Sequence, residues 1–102
     1  MEEVIFHSEA RAELLEAAAY YDGCRPGLGR EFLEAAEAVV RLAQLHPKAG
    51  RVIRSPYRRF LVRRFPYGIV YREHEATVFV AAVVHLHRKP GYWGTRIESE
   101  NR

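Results

Sequence analysis

The last third of the chain holds groups suited to acid–base and phosphate chemistry: His85-Leu86-His87-Arg88, then Tyr92-Trp93. An unperturbed histidine titrates near pH 6.5, and neighbouring arginines lower that value further, favouring the neutral base. One imidazole can take the proton of a ribose 2′-hydroxyl, and another can protonate a leaving 5′-oxygen. Guanidinium groups can hold the charge that builds on the phosphate between those steps. This is the set that metal-free RNA cleavage requires. In an extended strand His85 and His87 share a parity and face one side about 7 Å apart, whereas Arg88 faces the other unless the strand has ended. A plainer reading stands beside this one, with His85 a hydrogen-bonded rim residue and His87 a surface residue. Tyr92 and Trp93 are suited to stacking on bases, and equally to capping the core or receiving a partner segment. As a metal site, His85-x-His87 supplies only two ligands. His46, His74 and the scattered Glu residues show no ligand spacing, so neither metal nor cofactor is expected.

A second basic cluster lies upstream, in Arg58-Arg59-Phe60-Leu61-Val62-Arg63-Arg64-Phe65. Residues 51–102 carry eleven Lys/Arg against four acids, a net +7, while residues 1–50 carry five against nine, a net −4. The formal +3 of the whole chain conceals that division. Because strand side chains alternate, each Arg pair sends one guanidinium to either sheet face. One of each pair should meet the acidic first half, and the other should stay available to a polyanionic partner.

The elements that must position these groups can be read from periodicity. Val4-Ile5-Phe6 reads as a short strand, with Ser8 as the N-cap of a first helix and Glu9 in its first turn. Ala10, Leu14, Ala18 and Tyr21 form one apolar helical stripe. Leu28, Phe32, Ala36, Val39 and Ala43 form a second, which Pro47 ends after His46. Gly23 to Gly27, with Pro26, turns the chain between them, giving a helical hairpin. Tyr20, Tyr21, Leu28 and Phe32 read as core. Residues 58–65 and 67–73 then read as strands around a Pro66-Tyr67-Gly68 turn, and Glu73-His74-Glu75 leads into a last strand from Ala76 to about His87. That strand is apolar at both parities through Val84, which places it inside the sheet. The fold class is α+β: a β-α-α-β-β-β order with the hairpin on one face of a small antiparallel-rich sheet.

At 102 residues the chain fits one domain, residues 1–102. Its longest near-apolar run, Ala76 to Val84, is about half of the roughly 20 residues a membrane helix needs. The opening Met1-Glu2-Glu3 has neither the basic nor the apolar region of a secretory signal, and the lone Cys24 cannot form an internal disulfide. A cytoplasmic protein with no membrane association is expected.

Several stretches, in this order, carry a resemblance. They are Phe6-His7-Ser8-Glu9-Ala10, Tyr20-Tyr21, Arg25-Pro26-Gly27-Leu28-Gly29 with Phe32, His46-Pro47, Arg59 to Tyr71, and Val83 to Trp93. Together they resemble the RelE/ParE superfamily of bacterial toxins from type II toxin–antitoxin systems, over nearly the whole chain. RelE-like members are ribosome-dependent mRNA endonucleases, and ParE-like members inhibit DNA gyrase. The resemblance to the nucleases implies that Arg59 and Arg63 grip phosphate, that Arg88 is the last-strand Arg, and that Tyr92 is the C-terminal aromatic. Gly68 stands where those relatives carry a further Arg, and Arg64 or Arg72 would have to reach that space. The expected protein is therefore a toxin neutralised by a cognate antitoxin with an acidic segment. Its expected activity is metal-independent cleavage of ribosome-bound mRNA. His85, His87, Arg88 and Tyr92 would be its catalytic residues, with Arg59, Arg63, Arg64, Arg72 and Trp93 holding the nucleic acid. The alternative is a non-enzymatic inhibitor of DNA gyrase.

Overall fold

A computed structural model describes residues 1–88 and 91–100. The elements are β1 (Glu3–Phe6), α1 (Ser8–Cys24), α2 (Leu28–Leu45), β2 (Arg51–Arg54), β3 (Tyr57–Leu61), β4 (Tyr67–His74), β5 (Thr77–His85) and α3 (Gly94–Glu100). The strands form one sheet in the order β1-β5-β4-β3-β2. β1 runs parallel to β5, and the other pairs are antiparallel. The expected α+β order holds, with β2 and α3 added to it.

The two helical stripes form the expected hairpin. Gly27 takes a φ of 88° before α2, a conformation that costs glycine little. Asp22 accepts hydrogen bonds from the Gly27 and Gly29 N–H groups at 3.0 and 3.4 Å. A Cβ at Gly29 would strike the Ala18 carbonyl oxygen, so this glycine lets the two helices cross closely. The cap of α1 differs from expectation. His7 is the N-cap, its Nδ1 accepting from the Glu9 N–H at 3.1 Å, and Ser8 is the first helical residue.

Phe32 is fully buried under the hairpin. Its ring lies 5.4 Å from Tyr21, 5.2 Å from Phe65 and 5.1 Å from Tyr67. That cluster explains where the strand boundaries moved. Val62 and Phe65 fold inward against the hairpin, so β3 stops at Leu61 and not at residue 65. The turn falls on residues 63–66, with Arg64 at φ 74° and the Val62 N–H donating to the Tyr67 carbonyl at 2.8 Å. Tyr67 and Gly68 belong to β4, where Gly68 pairs with Leu61. Tyr20 also departs from the core expectation. It is 66% exposed, its ring edge against Tyr21.

β5 is interior, as its two apolar parities require. Val78, Val80 and Val83 face the hairpin. Ala82 and Val84 face a second, smaller core with Tyr57, Val70, Trp93 and Ile97 under α3. An irregularity between Val70 and Tyr71 shifts the β4–β5 register, and Ala81 joins the same second core as Ala82.

The β4–β5 hairpin closes through a two-residue turn, Glu75-Ala76, after the His74–Thr77 pair. Both residues hold positive φ, 48° and 60°, the type I′ geometry that glycine and asparagine adopt most easily. Ala76→Gly should therefore raise stability by about 0.5–1 kcal/mol, seen as a higher urea midpoint at unchanged m-value. An unchanged or lower midpoint would show that the turn holds no such strain.

Candidate functional site

The sheet face opposite the hairpin carries Arg59, Arg72 and Arg88, while other arginines turn to the hairpin side. β3 sends Arg58 toward the hairpin side, where it donates to the carbonyls of Lys48 and Gly50 at 2.8 and 2.9 Å. Arg59 projects to the opposite face and crosses Gly68 on β4. A Cβ at Gly68 would lie 2.9 Å from Arg59 Cδ and 3.1 Å from Cγ. The glycine is therefore the seat of the Arg59 side chain, a role the sequence does not display. Arg59 Nε is buried without a hydrogen-bond partner, as is Arg72 Nε. The Arg72 guanidinium sits 5.8 Å from the Tyr57 ring.

β5 ends at His85, so residues 86–88 turn and strand alternation no longer governs Arg88. The His87 N–H donates to His85 Nδ1 at 3.1 Å, and the two rings are 5.3 Å apart. The His85 ring also meets Tyr67 edge-on at 5.0 Å. Arg88 places its guanidinium 6.0 Å from the Tyr92 ring. His85, Arg88, Arg59 and Tyr92 line one cavity of about 400 Å³, together with Arg54 and an apolar wall. Lys89 and Pro90, part of the same sequence motif, lie outside the described residues.

Arg63 and Arg64 are not brought to this cavity. They line a groove against α2, where Arg64 pairs with Glu31 at 3.2 Å. Glu31 also pairs with Arg25 at 2.8 Å, and these contacts, Arg25 first, hold its carboxyl below the usual range. This is the acidic-half partner expected for one member of the Arg pair. Trp93 is only 4% exposed and packs on Tyr57 at 5.4 Å, so its ring is not presented for stacking.

Tyr92 is tied into a network that the sequence reading missed. β1 covers the β5 edge only as far as Val80, whose carbonyl accepts from the His7 N–H at 2.9 Å. Beyond it, Glu13 of α1 accepts the Val83 N–H at 3.0 Å, and Arg96 of α3 donates to the Ala81 carbonyl at 3.0 Å. Arg96 and Glu13 also form a two-pronged pair at 2.9 and 3.3 Å, and Arg96 pairs with Glu9 at 2.8 Å. The Tyr92 hydroxyl donates to Glu13 Oε2 in a short hydrogen bond. Burial, and then the adjoining carboxylate, push the Tyr92 phenol far above its ordinary pKa. Side chains thus stand in for the absent strand. One signal for Glu13 is present in the sequence: it shares the inner helix face with Ala10 and Ala17, three residues before it and four after.

The Tyr92 proton is held by Glu13, and one nitrogen of His85 is occupied by a backbone N–H. Among the described residues no three or more His, Cys, Asp or Glu gather as a metal site, and no helix is long and apolar enough to cross a membrane.

No curated protein matches this chain significantly. Among solved structures, one described as the chromosomal ParDE TA system from P. aeruginosa superposes with a TM-score of 0.63 at 16% identity. The match covers 85% of this chain and 98% of that one, and it shows a shared fold. The family model described as the ParE toxin of type II toxin–antitoxin system, parDE, matches residues 4–90. That span runs from β1 through β5 and includes Glu13, Arg59 and His85, so the chain belongs to the ParE toxin family.

Proposed function

We propose that the protein is the toxin of a type II toxin–antitoxin pair, that a cognate antitoxin holds it inactive, and that it acts by binding DNA gyrase, not by cutting mRNA. One observation carries the choice of target. The Tyr92 hydroxyl is committed to Glu13 and driven toward its neutral form, so the C-terminal aromatic is withdrawn from proton transfer. The membership in the ParE family supports the same choice. What remains on the open face is a basic surface around Arg54, Arg59, Arg72 and Arg88, with the character of a protein- or DNA-bound patch.

Purified protein added to gyrase and relaxed plasmid should abolish supercoiling. In a translating extract it should leave mRNA 5′ ends unchanged by primer extension. Single alanine substitutions across the patch should each reduce inhibition modestly, because binding energy at such a surface is distributed. Cuts at fixed codon positions that require ribosomes, and that vanish with His85→Ala, would overturn this reading in favour of the endonuclease.

A further inference from the structure

α3 covers part of the sheet face opposite the hairpin, and its polar fastening comes from α1. Its apolar contacts are Trp93 and Ile97, packed with Tyr57, Val70, Ala82 and Val84. Arg96 ties it to α1 through Glu9 at 2.8 Å and Glu13 at 2.9 Å, and Tyr92 joins Glu13 from just before the helix. Seven residues beginning at a glycine are too few to hold a helix alone, which takes about 12–15. The helix therefore persists only while docked, and Arg96 is its latch. A segment held this way can leave as a unit while the sheet stays folded.

What lies beneath has the make-up of a protein interface. Tyr57, Val70, Ala82 and Val84 give an apolar centre. Arg54 and Arg59 border it beside Val70 and Val84, and the Arg72 guanidinium lies 5.8 Å from the Tyr57 ring. An apolar centre bearing an aromatic ring, with arginines at its rim, is how protein–protein interfaces are composed. α3 also stands against that rim, since a Cβ at Gly94 would lie 2.5 Å from the Arg54 Nη1. The family match stops at residue 90, so the covered strands belong to the part shared with the family and the cover does not.

We propose that this face is a docking surface, that α3 is an autoinhibitory cover on it, and that the target protein displaces α3 with an apolar segment carrying carboxylates. The carboxylates meet the arginine rim as apolar side chains take the places of Trp93 and Ile97. The identity of that target rests on the gyrase reading above, whereas the opening of α3 does not.

Trp93 is the one tryptophan of the chain and is only 4% exposed, so its fluorescence reports the cover directly. In the full chain, α3 amides should exchange at least about tenfold faster than those of β4. Arg96→Ala should red-shift the Trp93 emission and raise its quenching by acrylamide at least about threefold, with far-UV circular dichroism preserved. Half-inhibition of gyrase supercoiling should then need at least about threefold less of this variant than of the wild type, because more of it is open. Glu9→Ala removes only the exposed arm of the latch, and it should move both readouts the same way by less, which keeps the test alive should Arg96→Ala not fold. Val39→Ala, a core change on the hairpin side, should lower Tm and leave both readouts as they were. The opening is refuted if Trp93 stays as shielded in both latch variants as in the wild type, or if α3 and β4 exchange together. The cover is refuted if Trp93 opens while inhibition is unchanged or weaker. If no form of the protein inhibits gyrase, the gyrase reading fails and the named target with it, while Trp93 still decides whether α3 opens.

Discussion

Glu13→Ala should cost about 3–5 kcal/mol of folding free energy, because it leaves a buried guanidinium with only the solvent-exposed Glu9 as counter-charge. The Glu13 and Arg96 side chains are only 14% and 10% exposed, so water cannot take over their pairing. The substitution also strips an acceptor from the Val83 N–H and from the Tyr92 hydroxyl. Against the 5–15 kcal/mol typical of whole domains, that is a third or more of the total in many cases. Urea unfolding would read it directly. The Glu13→Ala/Arg96→Ala double variant should lose less than the sum of the two singles, since each single variant strands the other partner. A loss under about 1 kcal/mol would mean the cluster behaves as a surface pair. The network also sets an alkaline signature. Tyr92 has a folded pKa raised above the 10.0 of a free phenol, so above about pH 10 the unfolded chain loses that proton first. Stability from this group is whole below pH 10 and declines above it, and Tyr92→Phe should flatten that decline.

Phe32→Ala should cost a comparable 3–5 kcal/mol, for a different reason. Phe32 has no exposed surface and sits among Tyr21, Phe65 and Tyr67. Removing its ring forfeits apolar burial, leaves a cavity between hairpin and sheet, and breaks the edge-to-face contacts with Phe65 and Tyr67. For a domain of this size each kcal/mol moves Tm by about 4–8 °C, so the melting point should fall by at least about 12 °C. A fall of less than about 5 °C would show that the hairpin collapses into the space. The same cluster anchors the 62–66 loop, so resistance of that loop to proteolysis should fall with it.

The helical hairpin and the interior position of β5 were legible because each rests on a long periodic pattern: five apolar positions on α2, and two apolar parities on β5. β2 was not legible. Four residues with arginine at both ends, Arg51-Val52-Ile53-Arg54, look like a loop, though charge at an edge is how sheets avoid unwanted pairing. α3 begins at a glycine, and only Trp93 and Ile97, four apart, hint at a buried face. At the site, the sequence identified Arg59, His85, Arg88 and Tyr92 as neighbours but not what each does. Parity along a strand says which face a residue takes, and it stops applying where the strand ends, as it does after His85. The roles of Gly68 and Glu13 depend on partners across the sheet and 70 residues away, at Val83. No local pattern encodes such distances.

The parallel pairing of β1 with β5 has a consequence for how the protein comes into being. Glu3 lies opposite Thr77 and Phe6 opposite Val80, so the first strand made must wait for nearly the last. At a synthesis rate of 5–20 residues per second, that wait is roughly 4–15 s. Throughout it the nascent chain can close its helical hairpin but not its sheet, and the Glu13 carboxylate has no Arg96 to meet. A chain released before Thr77 has no place to put β1. For a member of a toxin family, completion of the sheet is thereby tied to synthesis of β5.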